Sequence, residues 1–323
     1  MTTMRAAVRR RYGSPDVVRV EQVEKPTPDD DQVLVRVHAS SVNASDFYAL
    51  GSMPLARLSA GGLRRPKEPL FGGDFAGVVE AVGKDEPTFR PGDEVYGLRS
   101  GAYAEYLCSR DAIGRKPANL SFEEAAAVPI AAVTALQGLR DHGRLEPGQK
   151  VLVNGAGGGV GHLAVQIAKA LGAEVTAVTS TASVERIREL GADRVLDYTR
   201  EDFTKLDDRF ALILDCGGTK SFRARARVLE PEGTLVLIGA PGRGPIGPLA
   251  HIARTWLGGR FSRRRCVFFM AKGNRADLEF LRGLIENGQL KPTVSGRYEL
   301  DRVGEALRDF HRGGVQGKLV IAV

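Results

Sequence analysis

The stretch Val151–Ser180, VLVNGAGGGVGHLAVQIAKALGAEVTAVTS, runs in order through a short apolar strand, a glycine turn, an amphipathic helix and a second strand. Val151 to Val153 form the first apolar run. Leu163, Ile167, Ala168 and Leu171 then recur at helical spacing, and Gly172 stands where a helix stop is expected. The stretch reads as a βαβ unit, and the glycines form its strand-to-helix turn.

Those glycines fit more than one frame. From Ala156 they read A-x-G-x-x-G through Gly158 and Gly161, the dinucleotide fingerprint with alanine at its first position. In that frame Gly158 admits a pyrophosphate to the backbone and Gly161 lets the helix approach the strand, while the helix N-terminus favours the phosphates. From Gly155 they read G-x-x-x-G-x-G through Gly159 and Gly161, as in short-chain dehydrogenases. The Tyr-x-x-x-Lys pair of those enzymes is missing. A nucleotide-triphosphate loop is excluded because no Lys-Ser or Lys-Thr follows the glycines. The unit is therefore expected to bind a dinucleotide.

The 323 residues suggest about two domains. Cys108, Cys216 and Cys266 lie far apart, which argues against a disulfide framework or a thiolate metal knot and for a reducing compartment. The amino terminus has no apolar signal core, and no run reaches the ~18 apolar residues of a membrane span, so the expected location is cytoplasmic. The net charge of +7 arises from 46 basic and 39 acidic residues mixed along the chain. Arg260, Arg263, Arg264 and Arg265 cluster, but without aromatic interleaving they read as a solvated or phosphate-facing loop rather than a nucleic-acid site.

Along the chain, VVRVEQV, QVLVRVHASSV, FAGVVEAVG and DEVYG predict a barrel-like β domain up to about Val95. Asn43, Asp46 and Tyr48 share a segment of weak strand or helix character, and polar residues on such a loop are candidates for chemistry. GAYAEYL, Gly101–Leu107, reads as a strand. Ser121 with Glu124 predicts a capping box, and Pro129 interrupts the helix that follows. Strands at Arg194–Asp197, Phe210–Asp215 and Thr234–Ile238 alternate with helices at Ala182–Leu190 and Ser221–Leu229, the pattern of a doubly wound parallel sheet. CVFFM, Cys266–Met270, is a possible edge strand, ahead of two helices and a closing strand KLVIAV.

PLFGGDFAGVVEAVG, FRPGDEVYG, GAYAEY, AAAVPIAAVTAL, NGAGGGVG, GADRVLDY and QGKLVIAV together resemble the medium-chain dehydrogenase/reductase superfamily, nearest its zinc-free quinone oxidoreductases of the zeta-crystallin type. The resemblance spans nearly the whole chain. It implies an α/β protein in which a GroES-like β-barrel catalytic domain, residues 1–124 and 271–323, flanks a doubly wound parallel-sheet (Rossmann) nucleotide domain, residues 125–270. It also implies that Gly158, Gly159, Val160 and Gly161, after Ala156, hold a pyrophosphate. Thr134, Ile238, Gly239, Cys216 and Gly217 would line the nicotinamide side, with Phe269 closing over the ring.

The cofactor expected is NADPH. The place of the ribose-binding carboxylate reads Thr179-Ser180-Thr181, where Ser180 and Thr181 offer hydroxyls to a 2′-phosphate. Arg186 offers charge, and Tyr198 matches a phosphate-binding tyrosine of relatives. Val184 stands near a common lysine, and Gln316 replaces an arginine before the closing Gly317-Lys318, which completes the cofactor set. Asn43 and Tyr48 match positions beside the nicotinamide and are the catalytic candidates, Asn43 also touching the cofactor. Asp46 is expected to orient their loop. Leu50 stands near a common arginine, which weakens the case for an anionic substrate handle there.

No metal is expected. Where zinc relatives carry a catalytic cysteine and Gly-His-Glu, this chain has Ser41, Asn43 and Gly72-Gly73-Asp74, and it has no four-cysteine lobe. Without a Lewis acid, substrates that accept hydride readily are favoured. The reading is an NADPH-dependent reductase of quinones or α,β-unsaturated carbonyls. The alternatives are an enoyl-thioester or polyketide-intermediate reductase, or an NADPH-binding protein with little turnover. A homodimer through the CVFFM edge is expected, with no nucleic-acid or membrane partner.

Overall fold

The computed structural model describes residues 2–51, 62, 64–218, 220–238, 253, 255, 258 and 262–323. They divide into two units: Met1–Val133 with Gly273–Asn287 and Pro292–Val323, and Thr134–Lys272 with Gly288–Lys291. The boundaries thus fall at 133/134 and 272/273, where the sequence reading draws them at 124/125 and 270/271.

The first unit opens with β1 (Thr3–Arg9) and β2 (Val18–Glu24), an antiparallel hairpin. Then come β3 (Val33–Ser41), helix α1 (Ala44–Ala49), β4 (Asp74–Val82), β5 (Glu94–Leu98), β6 (Tyr106–Ser109), β7 (Ile113–Arg115) and α2 (Phe122–Ala126). In β3 the residues Val33, Val35 and Val37 are buried while Arg36 and His38 face out, the period-2 pattern of a half-buried strand. β1 carries no such pattern and is not legible in the sequence. GAYAEYL becomes strand only from Tyr106, because Ala104 forms a lone bridge with Ala6 before the chain joins β3. The segment of weak character at Asn43 is helical: Asn43 caps α1, and the carboxylate of Asp46 accepts its backbone N–H at 2.8 Å. Ser121 and Glu124 form the expected reciprocal capping box.

Helix α3 (Pro129–Gln137) restarts at the proline and ends in a π-helical turn, Gly138–His142. The second unit then runs β8 (Lys150–Asn154), α4 (Gly161–Ala170), β9 (Glu174–Thr179), α5 (Val184–Glu189), β10 (Arg194–Asp197), β11 (Phe210–Asp215), α6 (Phe222–Ala226), β12 (Leu229–Leu237) and β13 (Arg265–Phe268). Among the described residues the sheet has the order β10-β9-β8-β11-β12-β13, all parallel. Counted from β8 this is 3-2-1-4-5-6, the doubly wound dinucleotide order, whose crevice opens where β8 and β11 diverge. Its core gathers Leu152, Val178, Leu196, Ile213 and Leu235.

The tail returns to the first unit as α7 (Arg275–Glu286), β14 (Val294–Glu299), α8 (Val303–Arg312) and β15 (Lys318–Ala322). Its sheet has the order β14-β15-β3-β4-β5-β7, with β6 also on β3. Val303, Ala306 and Leu307 of α8 pack with Val42, Leu50, Phe71 and Tyr103, and so back the site below. No helix among the described residues is long and apolar enough to cross a membrane.

Candidate active site

In the second unit, Gly155 has φ +80° and ends β8 in a tight turn, its N–H and that of Ala156 both donating to Val178 O at 3.0 and 2.9 Å. A Cβ on Gly161 would lie 2.2 Å from Gly155 O. That contact is why α4 can begin directly above the strand only if residue 161 is glycine. The N–H groups of Gly159 and Val160 find no acceptor among the described residues, and they stand at the N-terminus of a ten-residue helix. Unsatisfied donors in half-buried backbone suit a dinucleotide pyrophosphate.

Across the crevice, Gly217 N lies 3.0 Å from the position a Gly155 Cβ would take, so the Cys216-Gly217 turn and the glycine turn touch. Asp215 fixes that turn. Its Oδ1 accepts from Asn154 Nδ2 (2.8 Å), Gly217 N (3.1 Å) and Gly218 N (2.7 Å), while Oδ2 pairs with the fully buried Arg225. Sequence reading missed this pair; the signal was two polar residues, Asn154 and Asp215, each closing an apolar central strand. Burial pushes the Cys216 thiol well up, so it stays protonated.

Arg186 donates to Gly157 O at 3.1 Å and Ser183 Oγ at 3.3 Å, which brings its charge to the glycine turn. Ser180 is half-buried at the end of β9. Thr181 faces differently from the expectation: its hydroxyl donates to Asp197 Oδ2 at 2.6 Å. Asp197 closes the neighbouring strand β10, and its carboxylate is held low chiefly by that bond. A carboxylate therefore does stand beside Thr181, inconspicuous in sequence because it lies on the next strand. Tyr198 is 62% exposed. Phe269 stacks on His142 at 4.1 Å, and Ile238 and Phe269 both approach Gly138. Thr134 is half-buried on α3. Gly239 and Arg260 lie outside the described residues. Arg264, of the same basic cluster, donates to Leu229 O at 3.1 Å.

In the first unit a buried polar cluster surrounds Asp74. Its Oδ2 accepts from Ser41 Oγ (2.6 Å) and Asn43 Nδ2 (2.8 Å) and faces Lys318 Nζ (3.4 Å), and its Oδ1 accepts the backbone N–H of Ile130 (2.7 Å). Lys318 Nζ also donates to Asn43 Oδ1 (2.5 Å) and Val42 O (3.0 Å). The second hydrogen of the Asn43 amide goes to Ser41 O at 3.2 Å. Asn43 thus spends both amide hydrogens inside the cluster rather than presenting one outward. Lys318, 3% exposed, is likewise an internal cation rather than a surface contact, and burial lowers its pKa. The reason is the same for both: their partners converge from distant points of the chain. Gln316 is half-buried two residues earlier.

Tyr103, fully buried, donates to Asp46 Oδ2 at 2.7 Å. Tyr48 projects from the next turn of α1, half-buried, with no hydrogen bond to its hydroxyl among the described residues. Burial raises its pKa, so the phenol keeps its proton and can donate it.

The donor set does not suit zinc. The Asp74 oxygens are already engaged by four protein donors, one of them an ammonium, and Ser41 and Gly73 supply neither thiolate nor imidazole. Among the described residues no three His, Cys, Asp or Glu gather as a metal-holding group.

Comparison with known proteins agrees with this architecture. Residues 29–138 match the model of the alcohol dehydrogenase GroES-like domain, and residues 190–321 that of a zinc-binding dehydrogenase. The 2-methylene-furan-3-one reductase of Solanum lycopersicum is 34% identical over 96% of this chain and 76% of its own. The chloroplastic NADPH-dependent alkenal/one oxidoreductase of Arabidopsis thaliana is 31% identical over 98% and 79%. The solved quinone oxidoreductase of Coxiella burnetii superposes with a TM-score of 0.86 at 29% identity, covering 100% of both chains. The chain belongs to the medium-chain dehydrogenase/reductase superfamily, in its zinc-free quinone oxidoreductase branch.

Proposed function

We propose that this protein is an NADPH-dependent reductase that passes hydride to quinones or to the β-carbon of α,β-unsaturated carbonyls without help from a metal. The observation that carries the reading is the turn after β8, where two backbone donors await an anion at the head of α4 and Arg186 adds a charge beside them. The relatives named above as a 2-methylene-furan-3-one reductase, an alkenal/one oxidoreductase and a quinone oxidoreductase support the substrate class.

A bound nicotinamide supplies the hydride. The chain's own part is to hold the pyrophosphate on Gly158, Gly159, Val160 and Gly161, and to set the Cys216-Gly217 turn through Asp215 and Arg225. It must also meet the negative charge that develops on the substrate oxygen. Tyr48 is assigned that last task, since its hydroxyl is protonated and uncommitted. Asn43 is assigned to hold the loop that presents it. In this reading the first unit would be the catalytic domain and the second the nucleotide domain, with the boundaries at 133/134 and 272/273 rather than at 124/125 and 270/271. The protein would act in the cytoplasm as a homodimer, and the three cysteines, none in a disulfide, fit a reducing compartment.

The experiment is NADPH oxidation by the purified protein against a quinone, a 2-alkenal, a cyclic enone and an enoyl thioester, with and without a chelator. Turnover of the first three, unaffected by chelation, is expected. Turnover of the thioester alone, or activity lost on chelation and restored by zinc, would replace this reading.

A further inference from the structure

Asp74 is 0% exposed and lies beside an apolar cluster that includes Val42, Leu50, Phe71 and Tyr103. An ion pair in such surroundings is an expensive way to fill space: desolvating both charges offsets most of their attraction, and apolar replacements of similar volume are often neutral or stabilising. What the Asp74 and Lys318 pair provides instead is geometry. Four donors reach one carboxylate from the end of β3, the turn before α1, the first turn of α3 and the start of β15.

The constraint is most severe at Asn43. Its Oδ1 is held by the Lys318 ammonium and its Nδ2 by Asp74, so the amide cannot rotate by 180° without setting like partners against each other. The backbone of the same residue caps α1 and is itself held by Asp46. The origin of a six-residue helix is thereby pinned from both sides, and Tyr48 sits one turn from that origin.

We propose that Asp74, acting with Lys318, is a positioning residue of the reaction: it fixes Asn43, and through it the start of α1, so that the Tyr48 hydroxyl is held at the substrate oxygen. The inference rests on the function proposed above. It adds a role for a carboxylate whose two oxygens are both engaged by donors of the chain itself.

The test separates positioning from stability by removing the charges singly and together. Asp74→Asn alone leaves a buried ammonium without its counter-charge, and both thermal stability and kcat fall. The double variant Asp74→Asn with Lys318→Met has no uncompensated charge, so its melting temperature recovers most of that loss. Its kcat for enone reduction stays about 10- to 100-fold below wild type, the scale of a misplaced catalytic group. The primary deuterium isotope effect with NADPH labelled at C4 becomes larger than wild type, and hydrogen exchange across residues 43–50 becomes faster.

Recovery of wild-type kcat and isotope effect together with stability would overturn the proposal, as would unchanged exchange at residues 43–50. Should the double variant not fold, Ser41→Ala removes one donor and keeps the ion pair, and the same directions are expected at smaller size. An unchanged isotope effect and exchange there would equally overturn it. The exchange readout needs no turnover, so failure of this inference is distinct from failure of the proposed function, which would show as a wild-type protein inactive on the whole substrate panel.

Discussion

Tyr103 donates its hydroxyl to Asp46 inside the first unit at 2.7 Å, and neither side chain has meaningful contact with solvent. Burial pushes the Asp46 carboxyl up to about 6, although Asn43 N–H, Tyr103 and the Lys318 charge pull the other way. Asp74 adds to the rise, and the charge of Arg9 also faces Asp46. The folded state therefore binds this proton more tightly than the unfolded chain, whose Asp titrates near 3.8. Below that value the group is protonated in both states and costs nothing. Between about 4 and 6 stability falls as pH rises, by an amount on the order of 3 kcal/mol once the pH is above 6. Asp46→Asn keeps an acceptor for both donors and removes the titration. Its stability relative to wild type, measured by urea unfolding, is expected to increase from pH 4 to pH 7. Parallel curves would contradict the assignment.

Tyr48→Phe tests the uncommitted phenol. An enolate needs its charge met as hydride arrives, whereas a quinone needs little protonic help, so kcat for an enone should drop about tenfold or more and that for a quinone less. The KM for NADPH should hold. Equal rates for wild type and variant on both substrates would remove Tyr48 from the chemistry.

Much of this was legible because it is local. The glycine turn, α4 and β9 follow one another in thirty residues, and Arg194–Asp197 and Phe210–Asp215 appear as strands within the bounds read from their apolar runs. Asn43 and Asp46 stand at capping-box spacing, Asx followed three residues later by a carboxylate, yet the short helix they start offers no periodicity, and the segment shows only weak strand or helix character in the sequence. The Asp74 cluster was hidden for the opposite reason: its bonds join residues 31, 33, 56 and 244 positions apart, and no periodicity encodes such meetings. β1 was hidden because Ala7 breaks the alternation of its small apolar residues, and β14, which does alternate Val294, Gly296 and Tyr298 with Ser295, Arg297 and Glu299, was hidden because glycine at its centre leaves it little apolar signal.

Substitution of Arg186 tests the proposed preference for NADPH. If its guanidinium meets a 2′-phosphate, losing one charge-assisted contact of about 1.5–3 kcal/mol should raise the KM for NADPH at least tenfold in Arg186→Met. The KM for NADH should change little, which controls for damage to the Gly157 turn that Arg186 also touches. A parallel rise with both cofactors would assign Arg186 to the loop alone, and Asp197 beside Thr181 would then favour NADH.

The edge of the nucleotide sheet predicts assembly. β13 pairs only with β12 among the described strands, and Phe268 and Met270 near its end are exposed. An apolar edge of this kind invites a second strand, and the copy of β13 from another chain is the expected one. Light scattering at micromolar concentration should give twice the chain mass, and Val267→Pro, which removes an edge donor, should give a monomer. A monomeric wild type would contradict this.

In the proposed reaction hydride passes from a nicotinamide to the β-carbon of a conjugated carbonyl while the chain's own donors steady the oxygen. This is tested most directly by following the hydride. The protein is incubated with an enone and NADPH deuterated on one or the other face of C4, and the product is analysed by mass spectrometry and NMR. The expected product is a saturated ketone with one deuterium at the β-carbon from one labelled face only, and a solvent proton at the α-carbon. Deuterium at the carbonyl carbon of an allylic alcohol, or a product with no label from either face, would contradict it.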